Sequence, residues 1–272
     1  MEVNNKMFRF TDQKYLTKDQ YKDSSNLDAR IEIHKRFRVN PKGWFNWVFD
    51  TLAQLPGQAN TLELGCGAGT MWKECKDRIP AGWTITLTDL SDGMLDAAWR
   101  NLVPTGRAFK FEQMDAQSIP YGDKIFDAVI ANHMLYHVPD REKALTEIKR
   151  VLKDDGRLMA TTVGNTHMQE MYQWLKRVNT NQRPDMFSNP FTLENGMPQL
   201  RKIFTQVRKL HYDDNLQVTE VEPIIAYIRS SIGAMDLSED ELGELKKELT
   251  AVLEKEDKIF ITKDSGLFQA LK

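Results

Sequence analysis

Thr61-Leu62-Glu63-Leu64-Gly65-Cys66-Gly67-Ala68-Gly69-Thr70 is the stretch that decides the fold. A short extended run enters three alternating glycines, and a helical pattern follows to about Ile79. Strand, glycine turn and helix in that order begin a nucleotide-binding α/β unit. The glycines let backbone N–H groups approach a ligand with no side chain in the way. The spacing is GxGxG. The dinucleotide fingerprint GxGxxG would need glycine where Thr70 stands.

Outward from that loop, strand and helix alternate. Trp83 to Thr88 alternates as a strand ending at Asp89, and Ser91 caps a helix to about Leu102. Phe109 to Met114 reads as a third strand ending at Asp115. Phe126 to Ala131 is a continuous apolar run, suited to a strand buried on both faces. Ala144, Leu145, Ile148, Val151 and Leu152 recur at the helical period after Asp140, with Asp155-Gly156 as the expected stop. Arg157 to Val163 is the fifth strand. Such alternation predicts a doubly wound parallel sheet, whose ligands sit at the carboxyl ends of the strands. The glycine loop, Asp89, Asp115 and Asn132 all fall at such ends.

The flanks read differently. Residues 1–25 are polar with scattered aromatics (Phe8, Phe10, Tyr15, Tyr21), expected as one or two short helices lying over something. Residues 27–55 read as helical, broken at Asn40-Pro41. Trp44 to Phe49 is too aromatic for an exposed helix. Past Gly164, residues 166–179 and 192–206 read as helical, punctuated by Pro184, Pro190 and Pro198. Lys209 to Thr219 reads as one strand, 222–233 and 238–257 as helices, and Lys258–Thr262 with Gly266–Leu271 as a closing hairpin. Ser238 and Glu241 form a capping-box pattern. The expected division is an N-terminal lid over 1–55, a core over 56–165, and a helical cap with closing strands over 166–272.

One acid separates the possible cofactors, and two more fit the one it favours. Glu63 stands two residues before the first glycine. A pyrophosphate would be repelled by a carboxylate there, whereas the ammonium and sulfonium of S-adenosylmethionine would be attracted. Asp89, 24 residues after Gly65, can accept from both ribose hydroxyls, or it can simply cap the next helix. Asp115 and the Ala116 N–H can hold adenine, or Asp115 can only form a turn. Leu90 and Met94 suit the adenine slot, although methionine at that spacing also suits plain core packing.

The bulk composition fits this picture. The chain has 272 residues, 41% hydrophobic and 28% charged, with a net charge of −2, which suits a large core and offers no basic face for nucleic acid. Residues 1–42 hold ten Lys/Arg against six Asp/Glu, and 236–257 hold nine Asp/Glu against three Lys. Both read first as solvated faces. Cys66 and Cys75 have neither disulfide-framework nor zinc spacing and are expected as reduced thiols in the cytoplasm. No apolar stretch approaches the ~20 residues of a membrane span, and the N-terminus has no signal-peptide core.

LELGCGAG, TDLSDGML, FEQMDAQSIPYGDKIFDAVIANHMLYHV and DGRLMATTVG, in this order over roughly residues 58–165, resemble the class I S-adenosylmethionine-dependent methyltransferases. The likeness is to the group containing the ubiquinone/menaquinone-biosynthesis enzymes; Tyr21 to Asp50 also looks like the leader of bacterial members of unassigned substrate. The resemblance implies a mostly parallel, seven-stranded Rossmann-like sheet. It implies that Glu63, Gly65 and Gly67, with Cys66 between them, hold the methionine end of the cofactor, Asp89 the ribose, and Asp115 and Ala116 the adenine. Asn132 and His133 would lie beside the sulfonium. A lid tyrosine or arginine would close over the cofactor carboxylate, with Tyr21 first, then Tyr15 and Arg30. The implied chemistry is direct SN2 methyl transfer to a small-molecule acceptor, with His133 and His137 as candidate bases. No metal is expected, and the chain is expected as a monomer or homodimer. A peptide methyltransferase, an NAD-binding oxidoreductase and a non-catalytic binding protein are the competing readings.

Overall fold

The computed structural model describes residues 10–178, 189–231 and 237–272. Phe8, Pro184, Asp236 and the far end of the helix expected to reach residue 179 lie outside them. The strands are β1 Gln58–Leu64, β2 Gly82–Asp89, β3 Lys110–Gln113, β4 Phe126–Asn132, β5 Leu152–Val163, β6 Gln206–Tyr212, β7 Asn215–Val218, β8 Ile259–Thr262 and β9 Ser265–Leu271. The helices are α1 Ser25–Phe37, α2 Trp44–Leu52, α3 Thr70–Glu74, α4 Asp92–Leu102, α5 Arg141–Val151, α6 Gln169–Val178, α7 Gly196–Arg201, α8 Val221–Ser230 and α9 Glu239–Glu256.

The strands form one seven-stranded sheet in the order β3-β2-β1-β4-β5-β9-β6, with only β9 antiparallel to its neighbours, and a separate β7-β8 ribbon. The expected α/β sheet is therefore present, and strand order reverses between β1 and β4. The apolar run of β4 is buried on both faces. Val129 and Ala131 pack with Ala144, Leu145 and Ile148 of α5. Ala128 and Ile130 pack on the other side with Val48, Phe49 and Leu52 of α2 and Trp72 of α3. Each fully buried Leu or Ile contributes about 1.5–3 kcal/mol, so these two layers hold the strand ends in place.

Several local expectations are corrected. α5 stops at Val151 rather than at Gly156, because Leu152 already pairs with Phe126 and the Asp155-Gly156 turn becomes a bulge before Arg157 pairs with Ala128. The helix after the glycine loop is α3 followed by a 3₁₀ turn, Lys76–Arg78. Of residues 192–206, only Gly196–Arg201 is helical. The strand expected over 209–219 breaks at Asp213-Asp214 into β6 and β7. There Asp214 accepts from the Val39 and Asn40 N–H groups and pairs with Lys263 at 2.6 Å. β8 and β9 do not form a hairpin: β8 pairs with β7, and β9 inserts between β5 and β6. Ile259 and Ile261 are drawn into a different core from Phe268 and Ala270.

That other core lies off the sheet. Ile33 and Phe37 of α1 join Met171 and Trp174 of α6, the isoleucines of α8 and the leucine stripe of α9. The capping box at Ser238 and Glu241 is formed. α1 thus packs with chain about 190 residues later in the sequence (Ile33 against Ile224), whereas α2 packs on the sheet.

Ahead of α1, a helical turn, Gln13–Tyr15, widens into Leu16–Gln20 and lies across the sheet edge. Ser91 Oγ donates to the Tyr21 carbonyl at 2.6 Å, and Gln20 Nε2 donates to the Ser230 carbonyl at 2.9 Å. The Lys22 carbonyl oxygen lies 1.9 Å from where a Cβ on Gly93 would stand. Gly93→Ala is expected to push this segment off α4 at a cost of about 1–3 kcal/mol and to raise trypsin cleavage at Lys18 and Lys22. Unchanged cleavage would mean the segment is not held by that contact.

Candidate functional site

The carboxyl ends of β1 to β4 open into a cavity of about 430 Å³, within the usual range for small-molecule sites. Every residue expected at the site from the sequence lines it: Tyr21, Glu63 to Gly67, Asp89, Leu90, Met94, Asp115, Ala116, Asn132, His133 and His137. Tyr15 does not.

The glycine loop is a left-handed turn. Gly65, Gly67 and Gly69 have φ of +67°, +54° and +71°, values that other residues adopt only with strain. Asp89 fastens this loop to the end of β2: one carboxylate oxygen accepts from the Gly67 N–H at 3.0 Å, the other from the Ser91 N–H at 2.9 Å. Asp89 thus holds the loop and the turn into α4 while Ser91 caps that helix, and each Asp89 oxygen keeps a lone pair. Burial raises its pKa against those hydrogen bonds.

Glu63 is buried at 2% exposure rather than open to the cavity. Its carboxylate accepts from the Trp72 indole N–H and, at 2.7 Å, from Asn132 Nδ2. Burial nonetheless pushes its pKa up to about 7. Because Asn132 Nδ2 faces the carboxylate, Oδ1 faces the opposite way. That oxygen is buried without a partner among the described residues, an acceptor waiting for a donor. Asp115 accepts from Gln117 N–H at 2.9 Å and from Gln13 Nε2 at 3.1 Å, so the N-terminal segment reaches the end of β3. Those bonds hold its pKa down against burial. Met94 and Ala116 are buried, and Leu90 is partly exposed to the cavity. Burial beside Asp89 and Glu63 pushes the Cys66 thiol well up, so it is inert.

The two histidines separate. His137 has both ring nitrogens engaged: Nδ1 lies 2.8 Å from the Phe10 carbonyl and Nε2 lies 3.0 Å from the Tyr21 hydroxyl. A carbonyl only accepts, so Nδ1 carries the proton and Nε2 accepts from Tyr21. This corrects the expectation of a free base at His137; the ring fastens the N-terminal segment. His133 has a positive φ of +49° at the exit of β4, held by its N–H bond to Thr161 Oγ1 at 2.9 Å. Its ring makes no hydrogen bond among the described residues and lies 5.2 Å from the Trp44 ring. Burial, then the charges of Lys263 and Arg30, lower its pKa to about 4, so it is neutral near pH 7.

Sequence reading missed His34, His167, Gln13 and Lys263, all of which line the cavity. Only a helical spacing hinted at the first: Arg30 and His34 are four apart on α1, hence on one face.

An α/β sheet of this order, with a glycine turn at its reversal point and acids at successive strand ends, defines a nucleoside-cofactor-binding domain. Comparison with known proteins makes the class specific. The methyltransferase domain family model matches residues 62–160. A ubiquinone/menaquinone biosynthesis C-methyltransferase of Xylella fastidiosa is 33% identical over 117 residues, 42% of this chain and 46% of that one. A demethylmenaquinone methyltransferase of Lactobacillus johnsonii is 34% identical over 146 residues, 50% of this chain and 59% of that one. The chain spans about half the length of these curated relatives. Among solved structures, the YcgJ protein of Bacillus subtilis superposes with TM-score 0.56 at 18% identity, covering 83% of this chain and 97% of that one. Phosphoethanolamine N-methyltransferase 2 of Haemonchus contortus superposes with TM-score 0.61 at 18% identity, covering 96% and 59%. Residues 62–160 are thus a methyltransferase domain, and the likeness to class I S-adenosylmethionine-dependent methyltransferases rests on that span.

The Glu63 carboxyl has a direct readout. Its folded pKa of about 7 lies above the 4.5 of an unperturbed glutamate, so the folded chain keeps a proton that the unfolded chain releases. This group's contribution to stability is complete below 4.5 and is lost as pH rises through about 7. The Trp72 indole N–H resonance is expected to titrate with a midpoint near 7 in the ligand-free protein and to lose that step in Glu63→Gln. A flat signal in the wild type between pH 5 and 8 would contradict the assignment.

Proposed function

We propose that the protein transfers a methyl group from S-adenosylmethionine to a small-molecule acceptor, with the N-terminal segment as a lid and the helices after residue 166 as a cap. The observation that carries this reading is the unpartnered, buried Asn132 Oδ1 beside Glu63. An orphaned acceptor backed by a carboxylate fits an ammonium donor and would repel a phosphate. Asp89 and Asp115 at the next two strand ends offer acceptors to a ribose and to an adenine amino group.

In this reading Asn132 Oδ1 and, through it, Glu63 hold the methionine ammonium. Asp89 uses its remaining lone pairs on the ribose hydroxyls, and Asp115 with the Ala116 N–H takes the adenine edge between Leu90 and Met94. The cofactor supplies an electrophilic methyl on a sulfonium when bound. Gln13 on Asp115 and Tyr21 on His137 close the segment over the cavity and exclude water. His133, neutral and unpaired, accepts a hydrogen bond from the acceptor and aligns it with the methyl. A pKa of about 4 makes it a weak base, suited to orienting an acceptor that releases its proton easily.

The size of the cavity, about 430 Å³, supports a small-molecule acceptor. The peptide reading relied on a free acidic face of α9, but Glu239 and Glu248 are paired with Arg229 and Arg177 of this chain. Among the described residues no helix is long and apolar enough to cross a membrane. Both cysteines are free and buried, which fits the cytoplasm.

Calorimetric titration should give binding of S-adenosylmethionine and S-adenosylhomocysteine but not of NAD. Asp89→Ala should weaken it by about 1.5–3 kcal/mol, the value of hydrogen bonds to a charged group. Tight binding of NAD alone would end the methyltransferase reading, and unchanged affinity in Asp89→Ala would remove Asp89 from the cofactor.

A further inference from the structure

The cavity wall is divided by charge. The strand ends contribute Glu63, Asp89 and Asp115; the opposite wall, from α1 and the C-terminal elements, contributes cations. Arg30 and His34 stand one helical turn apart on α1, and both line the cavity. Arg30 Nη2 and His34 Nδ1 are sealed from solvent and have no hydrogen-bond partner among the described residues. Of the other cations lining it, Lys263 is neutralised by Asp214 at 2.6 Å, Arg38 donates to the Asn40 and Lys35 carbonyls, and Lys35 is exposed to solvent.

Arg30 therefore carries the unbalanced charge. The groups acting on it are Tyr21, Tyr227 and Tyr136; no carboxylate is among them. A guanidinium does not lose its proton in a protein, and a buried one with a free N–H is costly until an anion meets it. The Tyr21 ring packs against it, 5.4 Å from ring centroid to guanidinium carbon, which fixes the direction of the fork. Burial and the charge of Lys263 hold His34 well below its ordinary pKa. The imidazole is thus neutral, with one N–H to donate. His133 shares this chamber, feeling both Lys263 and Arg30.

We propose that the methyl acceptor is an anion, and that its carboxylate or phosphate group is received by Arg30 with His34 beside it. This rests on the methyltransferase reading and names the substrate class for it. The planar fork of Arg30 suits two oxygens of either group, and the Tyr136 and Tyr227 hydroxyls, on residues that also line the cavity, can donate to the rest. Anchored there, the acceptor presents its nucleophile past His133 toward the strand ends. The anion stays clear of the acids that would repel it.

The test uses the full chain and four ring probes: benzoate, phenyl phosphate, benzamide and benzylamine. Binding is followed by ligand-observed NMR, with and without saturating S-adenosylhomocysteine. Benzoate or phenyl phosphate should bind at least about tenfold more tightly than benzamide, as expected for a charge-assisted pair, and benzylamine should not compete. Which of the two anions binds better identifies the group. Arg30→Met should abolish the preference and Arg30→Lys should keep part of it, with S-adenosylhomocysteine affinity within about twofold of wild type in both. Benzamide binding as well as the anions to the wild type would overturn the proposal without recourse to any variant. So would Arg30→Met that loses S-adenosylhomocysteine while keeping the anion preference, since Arg30 would then serve the cofactor carboxylate. Anion preference in a wild type that binds no S-adenosylhomocysteine would support the anion chamber and remove the methyltransferase reading.

Discussion

A buried carboxylate organises the centre of this molecule. Glu63 ends β1 and is reached by the Trp72 indole from α3 and by the Asn132 amide from the end of β4, while Thr88 of β2 donates to its backbone carbonyl at 2.8 Å. Three strand ends and the helix after the glycine loop, α3, therefore meet at one residue. A carboxylate this deep is costly unless its lone pairs are taken, so the arrangement is demanding: remove either donor and the charge is stranded. The same bonds turn the Asn132 oxygen outward, so one side chain both joins the strands and shapes the floor of the cavity.

The rest of the site is assembled from pieces far apart in the chain. Tyr21 reaches His137, Gln13 reaches Asp115 and Gln20 reaches Ser230, so a segment of about a dozen residues is stitched to the sheet and to the C-terminal helices. None of these bonds is strong alone, each worth about 0.5–1.5 kcal/mol. Together they hold the segment against the sheet and the C-terminal helices. The charge division of the cavity has the same origin. Acids come from strand ends and cations from α1, and the two meet only because α1 packs on the helices that follow the sheet.

Much of this was legible beforehand. The alternation from Thr61 to Val163 carried five strands and their helices. The sheet's local periodicity is dictated by which side chains can be buried, and the apolar run of β4 could be nothing but a two-faced strand. Asp89, Asp115 and Asn132 fell at strand ends because such ends follow each apolar run by a residue or two. The C-terminal third resisted the same reading. β8 and β9 are adjacent in sequence and individually plausible as a hairpin, yet β9 enters the main sheet, a choice between partners that neither strand's own pattern records.

Sequence by itself determined the strand–loop–helix unit, the positive-φ glycines and the line of acids, since these follow from local sterics and the period of burial. Tertiary structure alone decided what each polar group faces. Glu63 proved buried and bonded rather than open, His137 tied on both nitrogens rather than free, and Arg30 and His34 turned into the cavity with unmet hydrogen bonds. The reason is physical: whether a titratable group is a base, a strut or a binding site depends on its burial and its partners. For Glu63 and His137 those partners lie from 9 to 127 residues away, beyond the reach of any local pattern.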